Sequence, residues 1–195
     1  MGRRGSRGFR ILVLLPVLAG SGSGCAAGRS KENLSNAVAA GRTGPEQRMN
    51  IAQVTPEEAK RLLDRGGILY LYVRTVPEFV NGHPPSALNI PVAELNPQTG
   101  RMEVNEAFLG VVTANISPDA QLLVGCKTGG RSATACEMLA QAGYKNLRNV
   151  VGGFSGVTDP NGQVVQERWS TLGYPIERGD GAAKSYTSLT AAARH

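Results

Sequence analysis

The sequence predicts an α/β fold, a parallel sheet covered on both faces by helices. Two near-continuous apolar runs, Ile68 to Val73 and Gln121 to Gly125, have the composition of strands buried on both sides. Helical patterns lie between such runs, so strand and helix alternate along the chain. Apolar residues make up 41% of the 195 positions and aromatic ones only 5%, enough for a core built mostly of Val, Leu, Ile and Ala.

The elements follow in order from about Asn50. Thr55-Pro56-Glu57-Glu58 reads as a helix start, with Thr55 as N-cap, Pro56 in the first turn and Glu58 closing a capping box. Ala59, Leu62 and Leu63 give that helix its apolar face, and Gly66-Gly67 ends it. Ile68 to Val73 is the first clear strand. Val76 to Asn81 predicts one helical turn, and Ala87 to Ile90 a short strand ended by Pro91. Asn105 to Ala114 reads as a helix with Phe108, Leu109 and Val112 on one side. Gln121 to Gly125 is the next strand, Ser132 to Ala142 a helix stopped by Gly143, and Asn146 to Val151 a further strand. Asn161-Gly162 is a strong turn signal. Trp169 to Leu172 reads as a last short helix, and residues 179–195 as a disordered, small and polar tail. No internal repeat is visible.

The N-terminus has the three parts of a secretory signal: a basic stretch ending at Arg10, an apolar run from Ile11 to Ala19 and small residues from Gly20 to Gly24. The apolar run is too short to span a bilayer, which takes about 20 residues. The small residues before Cys25 resemble a bacterial lipoprotein signal, although Gly22 stands where that signal usually carries Leu. Residues 1–25 are thus read as a signal peptide with Cys25 as a lipidation site, ordinary signal-peptidase cleavage being the alternative. Residues 26–49 read as a flexible linker, rich in Ala, Gly, Ser and Arg. The expected location is the periplasmic face of a cell envelope, as an outer-membrane lipoprotein held to the membrane by its lipid.

The formal charge of +6 does not point to nucleic acid. Arg3, Arg4, Arg7 and Arg10 belong to the signal, and without them 17 basic residues face 15 acidic ones with no basic stripe. Three cysteines, Cys25, Cys126 and Cys136, make no disulfide framework. No dinucleotide fingerprint or metal-ligand spacing occurs, and the only histidines are His83 and His195. The expectation is therefore no metal, no organic cofactor and no nucleic-acid partner.

The segment with chemistry in it is Leu122-Leu123-Val124-Gly125-Cys126-Lys127-Thr128-Gly129-Gly130-Arg131-Ser132. A buried strand runs into a Gly-rich loop, and a helix starts directly after it. Gly129 and Gly130 allow a tight turn with inward N–H groups, and those groups and the helix N-terminus attract negative charge. A cysteine at that mouth is biased toward thiolate. Arg131 and Lys127 add positive charge, so the construction suits an anionic substrate or a persulfide.

At this point a resemblance becomes visible. Cys126 to Ser132, CKTGGRS, resembles the active-site loop of single-domain rhodaneses. Leu71 to Phe79, LYVRTVPEF, is similar to the family's L-D-V-R-x-x-x-E-[FY]. Gly82 to Pro91 resembles G-H-I-P-G-A-x-N-I-P, Val150 to Phe154 the L-x-G-G-[FW] turn, and Trp169 to Pro175 the terminal W-x-x-x-G-[YL]-P. The likeness covers about residues 50–178, the rhodanese domain of this reading. It implies a central parallel five-stranded sheet with helices on both faces.

It also implies sulfur transfer. Cys126 accepts sulfane sulfur from thiosulfate or a persulfide and passes it to cyanide or a thiol, including a protein thiol. The loop from Lys127 through Thr128, Gly129 and Gly130 to Arg131 holds the sulfur and the donor's charge, with Ser132 and Arg74 in support. Four residues separate Cys126 from Arg131, the sulfurtransferase length, whereas the related phosphatases and arsenate reductases have one more. A poorly catalytic sulfane-sulfur carrier of the same fold is the alternative. Two departures stand out. Tyr72 replaces the usual Asp, which implies looser arginine or loop geometry, and Ser86 replaces a usual Gly, which implies an altered turn. Arg74 reads as an ion-pair partner of Glu78, His83 as a structural residue of its turn, Cys136 as a core residue and Trp169 as packing for the last helix.

Overall fold

The computed structural model of the protein describes residues 51–194; the predicted export signal, Cys25 and the 26–49 linker lie outside that range. Strand β1 (Ala52–Val54) leads into α1 (Pro56–Arg65). The capping box at Thr55 forms in both halves, with Glu58 N donating to Thr55 Oγ1 at 3.2 Å and Thr55 N donating to Glu58 Oε2 at 3.0 Å. Strand β2 (Leu69–Tyr72) is followed by α2 (Val76–Asn81), which repeats the device with Thr75 and Glu78. Then come β3 (Leu88–Asn89), a hairpin of β4 (Ala93–Leu95) and β5 (Met102–Val104), α3 (Phe108–Asn115) and β6 (Leu122–Gly125). Helix α4 (Gly130–Gln141), β7 (Leu147–Val150), a hairpin of β8 (Val157–Thr158) and β9 (Val164–Gln166), a 3-10 turn at Trp169–Thr171 and α5 (Tyr186–Ala192) complete the chain.

The five-stranded sheet has the order β1-β7-β6-β2-β3, and every pairing in it is parallel. Leu69 to Tyr72 lie opposite Leu122 to Gly125. Side chains alternate across this sheet and both faces are buried. Tyr70, Tyr72 and Leu123 point to one face, where Ala59 of α1, Phe79 of α2 and Trp169 cover them. Leu71, Val73, Leu122 and Val124 point to the other, under α3, α4 and α5. The expected α/β sandwich with a five-stranded parallel sheet is therefore the fold of the described residues.

The order of the strands places the site. After β2 the chain passes through α2 to β3, and after β6 it passes through α4 to β7, in the opposite direction along the sheet. Parallel crossovers are right-handed, so helices leaving in opposite directions must lie on opposite faces. Between β2 and β6 the two helices diverge and open a crevice at the carboxyl ends of the strands, the usual ligand position in such sheets. Cys126 follows β6 and Arg74 lies two residues past β2.

The structure departs from the sequence-based expectation in several places, and strands β1, β8 and β9 have no counterpart in that reading beyond the turn signal at Asn161-Gly162. Residues 179–195 are not a disordered tail over most of their described length: Tyr186–Ala192 is helical, capped by Ser185 Oγ, which accepts from Ser188 N at 3.3 Å. Buried Leu189 joins the core beside α3, Asn105 donates to the Tyr186 hydroxyl at 2.9 Å, and Asn115 donates to Leu189 O at 3.0 Å. The β4–β5 hairpin fills a stretch without an element in the sequence reading; Asn96 Oδ1 accepts from Gln98 N and Thr99 N and turns the chain there. Helix α4 begins two residues earlier than expected, so Arg131 lies in its first turn. Ser86 sits at φ 64°, so the altered turn is one in which serine holds a glycine conformation.

Two stability measurements check this account. Leu189→Ala is expected to lower stability by about 2 kcal/mol in chemical denaturation, as for removal of a core side chain, whereas an undocked tail would leave it unchanged. Ser86→Gly is expected to raise stability by about 1 kcal/mol by relieving left-handed strain at an exposed turn, read as a melting temperature higher by a few degrees.

Candidate active site

Cys126 is the first residue past β6, and the alternation of the strand decides its direction. Gly125 faces α1, where the Tyr70 hydroxyl occupies the space a Cβ would need. Cys126 faces α4 with Leu122 and Val124 and is 1% exposed. Its Sγ accepts the N–H of Gly129 at 3.1 Å and lies 3.3 Å from Ser132 Oγ. The Ser132 hydroxyl is also 3.0 Å from Gly129 O, and its single proton turns toward sulfur when the sulfur is charged. Gly129, at φ 111°, stands immediately before α4, whose first N–H groups have no partner within the helix.

The loop is held from beneath. Phe154 N donates to Cys126 O at 3.0 Å, Ser155 N to Lys127 O at 2.8 Å and Gly152 N to Thr128 O at 3.1 Å. With those carbonyls drawn to the turn after β7, the Gly129 N–H is left for the sulfur. That turn needs glycine: at Gly153 (φ 54°) a Cβ would stand 2.5 Å from Cys126 O.

Charge enters from two arginines that share one carboxylate. Arg131 Nη1 donates to Glu78 Oε2 at 2.7 Å and its Nη2 to Oε1 at 2.9 Å. Arg74 Nε donates to the same Oε1 at 2.8 Å. Thr75 adds its N–H and hydroxyl to Oε2 at 3.1 and 3.0 Å. Burial alone would raise the Glu78 carboxyl, but the hydrogen bonds from Arg131 and Arg74 outweigh it and bring the group from 4.5 to about 2.

A family model for the rhodanese-like domain matches residues 55–159. The chain belongs to the rhodanese-like family. It is 42% identical over 111 residues to thiosulfate sulfurtransferase 18 of Arabidopsis thaliana, 56% of this chain and 79% of that one. It is 38% identical over 89 residues to thiosulfate sulfurtransferase 16, chloroplastic, of the same plant, 46% of this chain and 72% of that one. The crystal structure of Rv0390 from M. tuberculosis superposes with a TM-score of 0.55 at 25% identity, over 66% of this chain and 98% of that one.

The rhodanese loop gathers Cys126, Gly129 and Ser132 around one sulfur atom. The side chains of Lys127 and Thr128 are exposed and hydrogen-bond no neighbour among the described residues, so any contribution they make to the cradle is through backbone. Gly130 opens α4. Arg131 is turned to Glu78, and Arg74 pairs with Glu78 as its spacing suggests. The expected loosening at Tyr72 is absent: its hydroxyl accepts from Arg74 Nη1 at 2.7 Å and donates to Gly82 O at 3.3 Å. His83 is structural, its Nδ1–H donating to Phe79 O at 2.8 Å and its ring stacked on Phe79. Cys136 is buried on α4, and burial pushes its thiol up to about 12, which suits a core residue and not a resolving thiol.

Glu78 is the residue that reading the sequence undervalued. It was visible as the Glu of the E-[FY] motif and as the i,i+4 neighbour of Arg74, but its bond to Arg131 spans 53 positions and has no local signature. Replacing it with Gln leaves two guanidiniums without their anion. Glu78→Gln is expected to lower stability at pH 7 by about 2 kcal/mol. Because the folded carboxyl is depressed, that deficit should be full above pH 4.5, shrink as pH falls and vanish near pH 2. Urea melts of both proteins at several pH values check the sign and the window.

Proposed function

We propose that this rhodanese domain is a sulfurtransferase that carries sulfane sulfur on Cys126 as a persulfide. The observation behind the proposal is the environment of Sγ, with one backbone N–H and one hydroxyl within hydrogen-bond reach at the start of a helix. Such donors favour an anion over a neutral group. The names of the two plant relatives support the same chemistry.

In the forward half-reaction the Cys126 thiolate attacks the outer sulfur of thiosulfate. A new S–S bond forms, the S–S bond of thiosulfate breaks, and sulfite leaves with the electron pair. The enzyme then holds Cys–S–S⁻, and the charge has moved one atom outward. In the second half-reaction cyanide or a thiolate attacks that outer sulfur, and the thiolate of Cys126 returns as the leaving group. A hydropersulfide donor delivers sulfur by the same first step, with its thiolate leaving. Lys127 and Thr128 sit at the exposed edge of the loop, where donor and acceptor arrive, and Arg131 lies at the other edge to meet their charge.

A carrier role of the same fold is favoured by one observation: Arg131 shares its charge with Glu78 through both Nη atoms, so only its Nε–H and outer N–H groups remain for a donor. The two readings share Cys126 loading and differ in repeated turnover. The predicted signal adds a location to this proposal, the periplasmic face of an envelope with the lipid on Cys25.

Incubating the purified chain with thiosulfate, or with a polysulfide, should add one sulfur atom to its intact mass, and Cys126→Ser should add none. Thiocyanate formation over many cycles would assign the enzyme reading, and loading followed by a single discharge the carrier. A folded protein that takes sulfur from neither donor defeats both readings and directs assays to phosphate and arsenate.

A further inference from the structure

Tyr72 is 0% exposed, and its ring packs against Phe79 and Phe154 with centroids 5.9 and 6.2 Å away. Only its hydroxyl is polar, and that hydroxyl ends a chain of contacts that crosses the crevice. The Tyr72 hydroxyl accepts from Arg74 Nη1, Arg74 Nε donates to Glu78 Oε1, and Glu78 accepts both Nη groups of Arg131. Arg74 itself is 9% exposed. Its guanidinium lies 5.3 Å from the Phe154 ring, and its carbonyl accepts from Asn89 Nδ2 at 2.9 Å. It is therefore enclosed, and its role is exerted through Glu78.

The sharing of Oε1 makes the chain directional. Arg74 and Arg131 both donate to that oxygen, so a stronger claim by one weakens the other. The Tyr72 hydroxyl satisfies Arg74 Nη1 and leaves Arg74 with one bond to Glu78. Without that hydroxyl a buried, charged N–H loses its acceptor, a costly state. Glu78 is the carboxylate within reach, and each additional bond Arg74 makes there displaces one from Arg131. We infer that Tyr72 is a positioning residue for anion recognition at Cys126: its hydroxyl restrains Arg74 and so reserves the fork of Glu78 for Arg131. The inference rests on the proposed role of Arg131 as the guanidinium that meets an anion at Cys126. Held by both Nη atoms, Arg131 still has Nε–H and its outer N–H groups for that anion.

The test uses two alkylating agents that differ in charge and little in size, iodoacetate and iodoacetamide. The ratio of their rates at Cys126, assigned by peptide mapping, reports the positive field at the sulfur and needs no sulfur donor. Wild type, Tyr72→Phe, Arg131→Ala and the double variant are compared in the full chain. Tyr72→Phe keeps the packed ring and should lower the ratio about fivefold, with the iodoacetamide rate nearly unchanged. In the Arg131→Ala background it should have no further effect, since residues acting through one another are not additive. An unchanged ratio in Tyr72→Phe, an equal drop in both backgrounds, or a parallel fall in both rates overturns the inference. Failure of sulfur loading would show separately, in the intact-mass experiment, and would leave the alkylation result interpretable.

Discussion

The pairing of β2 with β6 is the constraint on which the rest of the site depends. It sets Tyr72 opposite Gly125, so the residues just past the two strands arrive together at the crevice where α2 and α4 diverge. The pairing is tight because Gly125 has no side chain and the Tyr70 hydroxyl fills that space. In a parallel sheet buried on both faces, a slip of one residue would exchange the faces of an entire strand. Here it would turn Cys126 from α4 toward the Tyr70 side, away from the Gly129 N–H. Packing on the far face of the sheet is thus what aims the cysteine on the near one.

The electrostatics follow from the same divergence. Helix α2 delivers Glu78, α4 delivers Arg131 and the end of β2 delivers Arg74, so two positive groups meet one negative group in a half-buried setting. Buried charge is tolerated when it is paired and hydrogen-bonded. The Glu78 carboxylate is saturated with donors, yet one positive charge remains unbalanced among the three groups. Under the proposed function, an anion arriving at Cys126 is the complement to that excess.

What was legible in the sequence and what was not divides along range. The Cys126 loop, the capping box at Thr55, the buried strands and the Arg74–Glu78 spacing are local patterns, and each is present in the fold. The β4–β5 hairpin is held by an Asx turn at Asn96, and its alternation, Ala93-Glu94-Leu95 against Met102-Glu103-Val104, is only three residues long on each side and leaves Leu95, Met102 and Val104 exposed, so it does not announce a core strand. Helix α5 has only Tyr186 and Leu189 as an apolar face, and its stability comes from docking on α3, which small polar neighbours in the sequence conceal. The role of Tyr72 is hidden from the sequence for a related reason. The loss of Asp was visible, but the partners of the new hydroxyl, Arg74 and Gly82, are chosen by tertiary packing.

The two cysteines of the domain meet opposite environments. Both lie on the α4 face of the sheet, and α4 treats them differently. The start of the helix, with Gly129 and Ser132, supplies donors to Cys126. Its buried flank encloses Cys136, and that enclosure raises the thiol to about 12. A buried thiol of that kind is a poor nucleophile toward a persulfide. Under the proposed function, sulfur loaded on Cys126 has no second cysteine to move to within residues 51–194, and it leaves only when an acceptor reaches the loop from outside. The exposed edge at Lys127 and Thr128 is then where the fate of the sulfur is decided. On that reading the enclosed side of the site, from buried Tyr72 through half-buried Glu78 and Arg131, sets the charge that an incoming anion meets.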